Sequence, residues 1–219
     1  MAKTLAMCRA VVFDFDGTLA DSFDAIACSV NHVRALRGLP ALSVAEVKGH
    51  VGHGPEYLLE HTIPGCRLSD DLPAYRVHHP TVMGPMTRLL PGAAELLIAI
   101  KHAQKRIGLC SNKPRIFSQE LLVHLRIAEL FDVVLGPEDV SMPKPSPEML
   151  LRALERMSLS RDEVLYVGDT TVDIQTARSA GVNVWVLPTG SEPRHVLEQA
   201  RPDRLFENLH DMRMELTDS

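Results

Sequence analysis

The chain has 219 residues, 45% of them hydrophobic, enough for one full core domain plus a small second unit, and this composition excludes a disordered protein. A net charge of −5 excludes a nucleic-acid binder that works through a general basic face. Any anionic ligand must then be drawn in by a local positive site or a metal, not by the overall field.

The first element in chain order is the apolar run Ala10–Phe15, which reads as a buried strand. It delivers Asp14 and Asp16, two residues apart and so on one face of a strand, onto a turn at Gly17-Thr18. The next strand pattern comes about ninety residues later, far more than one crossover needs. The intervening stretch reads as helices at Ser22–Leu36, Val44–Lys48, Pro55–Glu60 and Asp70–Val82. Residues 20–85 are therefore expected to form an inserted helical cap, returning through Gly84-Pro85 towards Pro91-Gly92, on a core made of 1–19 and 86–219. In that core, strands at Ile107–Cys110, Val133–Leu135, Val164–Val167 and Val184–Leu187 alternate with helices. Pro91–Gln104 carries Ala94, Leu97, Ile98 and Ile100 inward; Pro114–Leu125 carries Ile116, Leu121, Leu122 and Leu125. Pro145–Met157 presents Met149, Leu150, Ala153, Leu154 and Met157, and Asp173–Ala180 stops at Gly181. The expected fold is α/β: a Rossmann-like parallel sheet with helices on both faces and an inserted α-helical cap.

Four cysteines without a CxxC spacing read as free thiols of a reducing compartment. No apolar run approaches the roughly 18 residues of a membrane span and no signal-peptide core is apparent, so a cytoplasmic protein without a membrane partner is expected. His50, His53, His78 and His79 have no zinc-type spacing and read as solvated loop or cap residues.

Ligands of an open parallel sheet bind beyond the carboxyl ends of its strands. Polar residues gather there: Asp14 and Asp16, then Ser111-Asn112-Lys113, then Lys144, then Gly168-Asp169 through Asp173. Crowded carboxylates repel, so they call for a cation between them, and Mg²⁺ is the hard, oxygen-seeking choice. Lys144 is the one evident core cation, while Lys113 and Arg115 read as solvated. Asp21 and Ser22 read as caps of the first helix, and Asp173 as support for the site or as a helix cap.

These residues resemble the four motifs of the haloacid dehalogenase superfamily in its phosphatase branches: Asp14-x-Asp16-Gly17-Thr18, Ser111, Lys144 in Lys-Pro-x-Pro-Glu, and Gly168-Asp169-x-x-x-Asp173. The run 111–114 and the turn Val51-Gly52-His53-Gly54 are similar to the phosphoglycolate phosphatase group. The resemblance implies a Mg²⁺-dependent phosphatase that hydrolyses a small phosphorylated metabolite. Asp14 would be the nucleophile and Asp16 the general acid and base, its carbonyl also reaching the metal. Asp169 would be a metal ligand, and Asp173 would support the metal shell or Lys144. Ser111, the Asn112 backbone and the Gly17-Thr18 turn would meet the phosphoryl group. The leaving group would be read by the cap loop, with Lys48, His50 and His53 as candidates. Phosphoglycolate is the leading substrate; a β-phosphoglucomutase-type sugar phosphomutase shares the constellation, and a sugar phosphate, a nucleoside monophosphate or pyrophosphate stand as other substrates.

Overall fold

The computed structural model describes residues 7–215. Strand β1 (Ala10–Phe13) runs through the centre of a six-stranded, all-parallel sheet, and all four of its residues are buried. Its alternation feeds two cores. Val11 and Phe13 join one apolar cluster, while Ala10 and Val12 join the cluster on the opposite face. A short strand β2 (Ala20–Asp21) follows, and then helices α1 (Phe23–Leu36), α2 (Val44–Lys48), α3 (Pro55–Thr62) and α4 (Leu68–Met83). These helices bury a third cluster of their own, among it Ile26, Val30, Leu58, Leu59 and Tyr75. Strand β3 (Arg88–Leu89) returns antiparallel to β2, so a two-stranded ribbon joins the helices to the sheet.

The remaining elements alternate: α5 (Ala93–His102), β4 (Arg106–Cys110), α6 (Arg115–His124), β5 (Val133–Leu135), α7 (Glu148–Arg156), β6 (Val164–Gly168), α8 (Thr171–Ala180) and β7 (Asn183–Val186). They close with α9 (Arg194–Gln199), β8 (Arg204–Leu205) and α10 (Leu209–Met214). The strand order β5-β4-β1-β6-β7-β8 puts β4 and β6 on either side of β1. The loops after these three strands therefore share one edge of the sheet.

Several sequence expectations need correction. Strand β1 ends at Phe13, so strand alternation does not orient Asp14 and Asp16. Asp14 still continues the ladder, donating its N–H to Val167 O at 2.9 Å, whereas Asp16 lies in the following turn. Ile98 and Ile116 face outward; Leu96 and Phe117 occupy the inward positions instead. In α5 the buried set is Ala93, Leu96, Leu97 and Ile100, a 3.6-residue stripe that leaves Ile98 on the other side. His79 is buried within α4, where its Nδ1 shares a 3.0 Å hydrogen bond with Ser29 Oγ and its ring stacks on Tyr75. His78 is half-buried and stacks on His32 at 4.1 Å.

Candidate active site

Asp14 leaves the end of β1 with its carboxylate buried. Lys144 Nζ lies 3.0 Å from Asp14 Oδ1 and 2.7 Å from Asp173 Oδ1, and donates to Tyr166 Oη at 3.0 Å. The ammonium thus bridges two carboxylates beneath the sheet edge. Burial works against its charge, yet Asp14 and Asp173 outweigh burial and hold the lysine above its ordinary pKa. The Lys144 backbone is fixed as well. Asn112 Oδ1 accepts from Lys144 N–H at 2.9 Å, and Asn112 Nδ2 donates to Lys144 O and to Gly52 O, each at 3.0 Å.

Asp173 is held on every side. Its Oδ2 accepts from the N–H groups of Asp169 and Thr170 at 3.2 and 3.1 Å and from Thr170 Oγ1 at 2.7 Å. Thr170 is the N-cap of α8 and Asp173 its third residue, in a capping box, so Asp173 is not itself the N-cap. Burial would raise the Asp173 pKa, but Lys144 and these donors hold it below the usual carboxylate range. Gly168 explains itself here: a Cβ at 168 would stand 2.3 Å from Asp173 Cβ and Cγ.

Asp169 accepts from Thr18 Oγ1 at 2.6 Å. Burial, reinforced by the charges of Asp173 and Asp14, pushes its pKa well above the usual range. Burial also lifts Asp14 to about 6, against the pull of Lys144 and a hydrogen bond from Ser111. Gly17, with φ +84°, turns the chain between these acids, and its carbonyl accepts from Thr189 Oγ1 at 2.6 Å.

Asp16 has a different setting. Ser22 Oγ donates to its Oδ1, and Lys113 Nζ lies 3.0 Å from its Oδ2. Ser22 does occupy the N-cap position of α1, but its hydroxyl makes no cap bond and serves Asp16 instead. Lys113 is not solvated. It is buried among the site residues, three positions after the end of β4. Arg115 is half-buried and pairs with Asp139 at 2.9 Å.

A cleft opens over Asp14, Asp16, Ser111 and Asn112. Ile26, Leu58 and Tyr75 of the helical unit face Phe117 and Pro114 of the core across it. Lys48 and His53 are not among its lining residues. Lys48 Nζ instead donates to Thr189 O at 3.3 Å and lies 4.3 Å from the centroid of the Phe23 ring; exposed His53 packs on Tyr57, ring centroids 4.4 Å apart. The loop residues that do line the cleft are Val51, Gly52, Gly54 and Pro55.

Four carboxylates, those of Asp14, Asp16, Asp169 and Asp173, thus meet two ammonium groups, Lys113 and Lys144. Fully ionised, the set carries two negative charges in excess at a buried edge, which is costly unless a cation or a proton joins them. Asp14, Asp169 and Asp173 present oxygens within 4.8 Å of one another. Protein donors already occupy Asp173, so Asp14 and Asp169 are the pair with room for a cation. The donor set, all carboxylate oxygen, fits a hard divalent ion.

A model of the haloacid dehalogenase-like hydrolase family matches residues 11–187. The phosphoglycolate phosphatase of Escherichia coli K12 is 31% identical over 93% of this chain and 90% of its own length. That of Salmonella paratyphi A is 30% identical over the same shares. Among solved structures, a predicted phosphoglycolate phosphatase from Haemophilus somnus superposes with a TM-score of 0.88 at 26% identity, covering 97% of this chain and 99% of that one.

Proposed function

The chain belongs to the haloacid dehalogenase-like hydrolases, and from that membership we propose that it is a Mg²⁺-dependent phosphatase whose substrate is phosphoglycolate. The observation that carries this reading is the convergence of Asp14, Asp169, Asp173 and Lys144 at one sheet edge, with Asp16 at the mouth of the cleft. The 30–31% identity to phosphoglycolate phosphatases, over nearly the full length of each, supports the substrate.

In this reading an Asp14 oxygen attacks phosphorus and the bond to the leaving oxygen breaks, leaving an aspartyl phosphate. Asp16 gives its proton to the departing alkoxide. It then takes a proton from a water molecule, whose oxygen attacks phosphorus, regenerates the Asp14 carboxylate and releases phosphate. Lys144 and the Ser111 hydroxyl face the phosphoryl oxygens, where charge accumulates in the transition state. Mg²⁺ held by Asp14, Asp169 and the Asp16 carbonyl would supply the remaining positive charge. Asp173 keeps Lys144 ionised and aimed at Asp14. Residues 20–85 act as a cap that closes over the cleft and excludes water.

Phosphate release from a panel of phosphomonoesters and pyrophosphate tests the proposal, with Asp14→Asn as the blank. A preference for phosphoglycolate that requires Mg²⁺ is expected, with turnover lost in Asp14→Asn and its fold retained. Wild-type activity in Asp14→Asn would sink the covalent mechanism, and a flat profile across the panel would sink the substrate.

A further inference from the structure

Lys113 has a place that the hydrolytic steps above do not use. Its side chain is 4% exposed, and its ammonium has Asp16 Oδ2 at 3.0 Å. Placing an ammonium out of water carries a desolvation penalty that a single ion pair seldom recovers, so stability alone is a poor reason for it. Lys113 also lines the cleft, and among the described residues it is the only cation that does. Lys144 lies outside that lining, committed to Asp14 and Asp173. The same lining includes the apolar side chains of Ile26, Leu58 and Phe117. A leaving group that extends from Asp14 past Asp16 therefore enters a weakly polar chamber holding one positive charge.

From this geometry we infer that Lys113 is the specificity-determining residue for the leaving group, and that it selects a small leaving group carrying its own negative charge, such as the carboxylate of a hydroxy acid. The inference rests on the phosphatase reading above and adds which residue recognises the substrate. It moves recognition from the cap loop, where Lys48 and His53 are turned to other partners, to the core itself. In the first step Asp16 carries the proton it gives to the leaving oxygen, so an anion in the chamber meets the ammonium without a competing carboxylate charge, and the low-polarity walls strengthen that attraction over its value in water. A neutral leaving group of the same size leaves the charge of Lys113 unanswered at that step. The carboxylate and the phosphoryl group are then held by different lysines, at opposite ends of a compact substrate.

The test compares kcat/KM for phosphoglycolate with that for ethyl phosphate, which has the same two carbons without the carboxylate, using the Mg²⁺-loaded full chain. The wild type is expected to prefer phosphoglycolate. Lys113→Met is expected to lower the ratio of the two values at least tenfold, with the loss for phosphoglycolate mainly in KM. Lys113→Arg, which keeps the charge, is expected to restore most of the ratio. A Lys113→Met enzyme that loses activity equally on both substrates, with the ratio intact, overturns the inference: Lys113 would then serve Asp16 only, and the phosphatase reading would stand. A wild type without preference for phosphoglycolate overturns the substrate reading, and this inference with it.

Discussion

Asp173 and Lys144 make the sharpest stability prediction. Their side chains are 0% and 1% exposed and 2.7 Å apart, and Asp173 also receives Tyr166 Oη at 3.0 Å, two backbone N–H groups and the Thr170 hydroxyl. Asp173→Asn keeps the shape but removes the charge, and it points an amide N–H₂ at donors that need an acceptor. Breaking a buried pair from one side costs about 3–5 kcal/mol, because a charge is left uncompensated. For a chain of this size that lowers Tm by roughly 6–20 °C. Lys144→Met is expected to cost as much, since it strands Asp14 and Asp173 together. The double variant removes both members, so its cost should fall short of the sum by about 2 kcal/mol. Urea unfolding in EDTA isolates the protein terms from any metal and measures all four corners of the cycle. Costs that add to within about 0.5 kcal/mol would refute the reasoning, because the two groups would then be energetically independent.

Chelation with EDTA should abolish phosphate release and Mg²⁺ should restore it; at a hundredfold excess over its Kd, a bound ion should also stabilise the fold by about 2.7 kcal/mol in thermal unfolding. Asp169→Asn should lose both responses. Asn112→Ala strips three hydrogen bonds that reach Lys144 and Gly52, and should cost about 2–4 kcal/mol in urea unfolding. His79 should make the protein acid-sensitive. Burial pushes its pKa down from 6.5 to about 2, so its neutral form is kept in the fold while the unfolded chain takes up a proton. The contribution is complete above pH 6.5 and declines as pH falls towards 2, by about 1.4 kcal/mol per unit, or about 2 kcal/mol between pH 6.5 and 5. The difference in stability between wild type and His79→Leu, followed by urea unfolding across that range, should carry this slope; a difference that does not change with pH would refute it.

Five of the sheet's six strands could be read from sequence because they are largely buried and so appear as apolar runs, as in Val164–Val167; β8, two half-buried residues beginning with Arg204, carries no such run. The strand-end acids could be found because a parallel sheet gathers its ligands at one edge. Lys113 and His79 were misplaced for one shared reason. A polar residue is buried only when a distant part of the chain supplies its partner, Asp16 for one and Ser29 for the other, and local pattern carries no trace of that. Ile98 and Ile116 failed differently. Their helices hold more apolar residues than inward positions, so the stripe has more than one plausible phase until the neighbouring sheet selects it. The β2–β3 ribbon was invisible because two residues per strand are too few to show alternation.

The charge arrangement and the helical unit cannot be treated separately. Asn112 fixes the Lys144 backbone and, through the same amide, holds Gly52 of the helical unit. Ser22, where the ribbon enters α1, holds Asp16. Beyond these, the helical unit's loop meets the core through Ser191 Oγ to Val51 O at 3.1 Å and Lys48 Nζ to Thr189 O at 3.3 Å. Four hydrogen bonds across this seam, at a net of about 0.5–1.5 kcal/mol each, amount to about 2–6 kcal/mol. Asn112 therefore spans the seam: one side-chain amide ties Gly52 to the backbone that carries Lys144 to within 3.0 Å of Asp14, so the cationic site and the cover of the cleft share a single anchor.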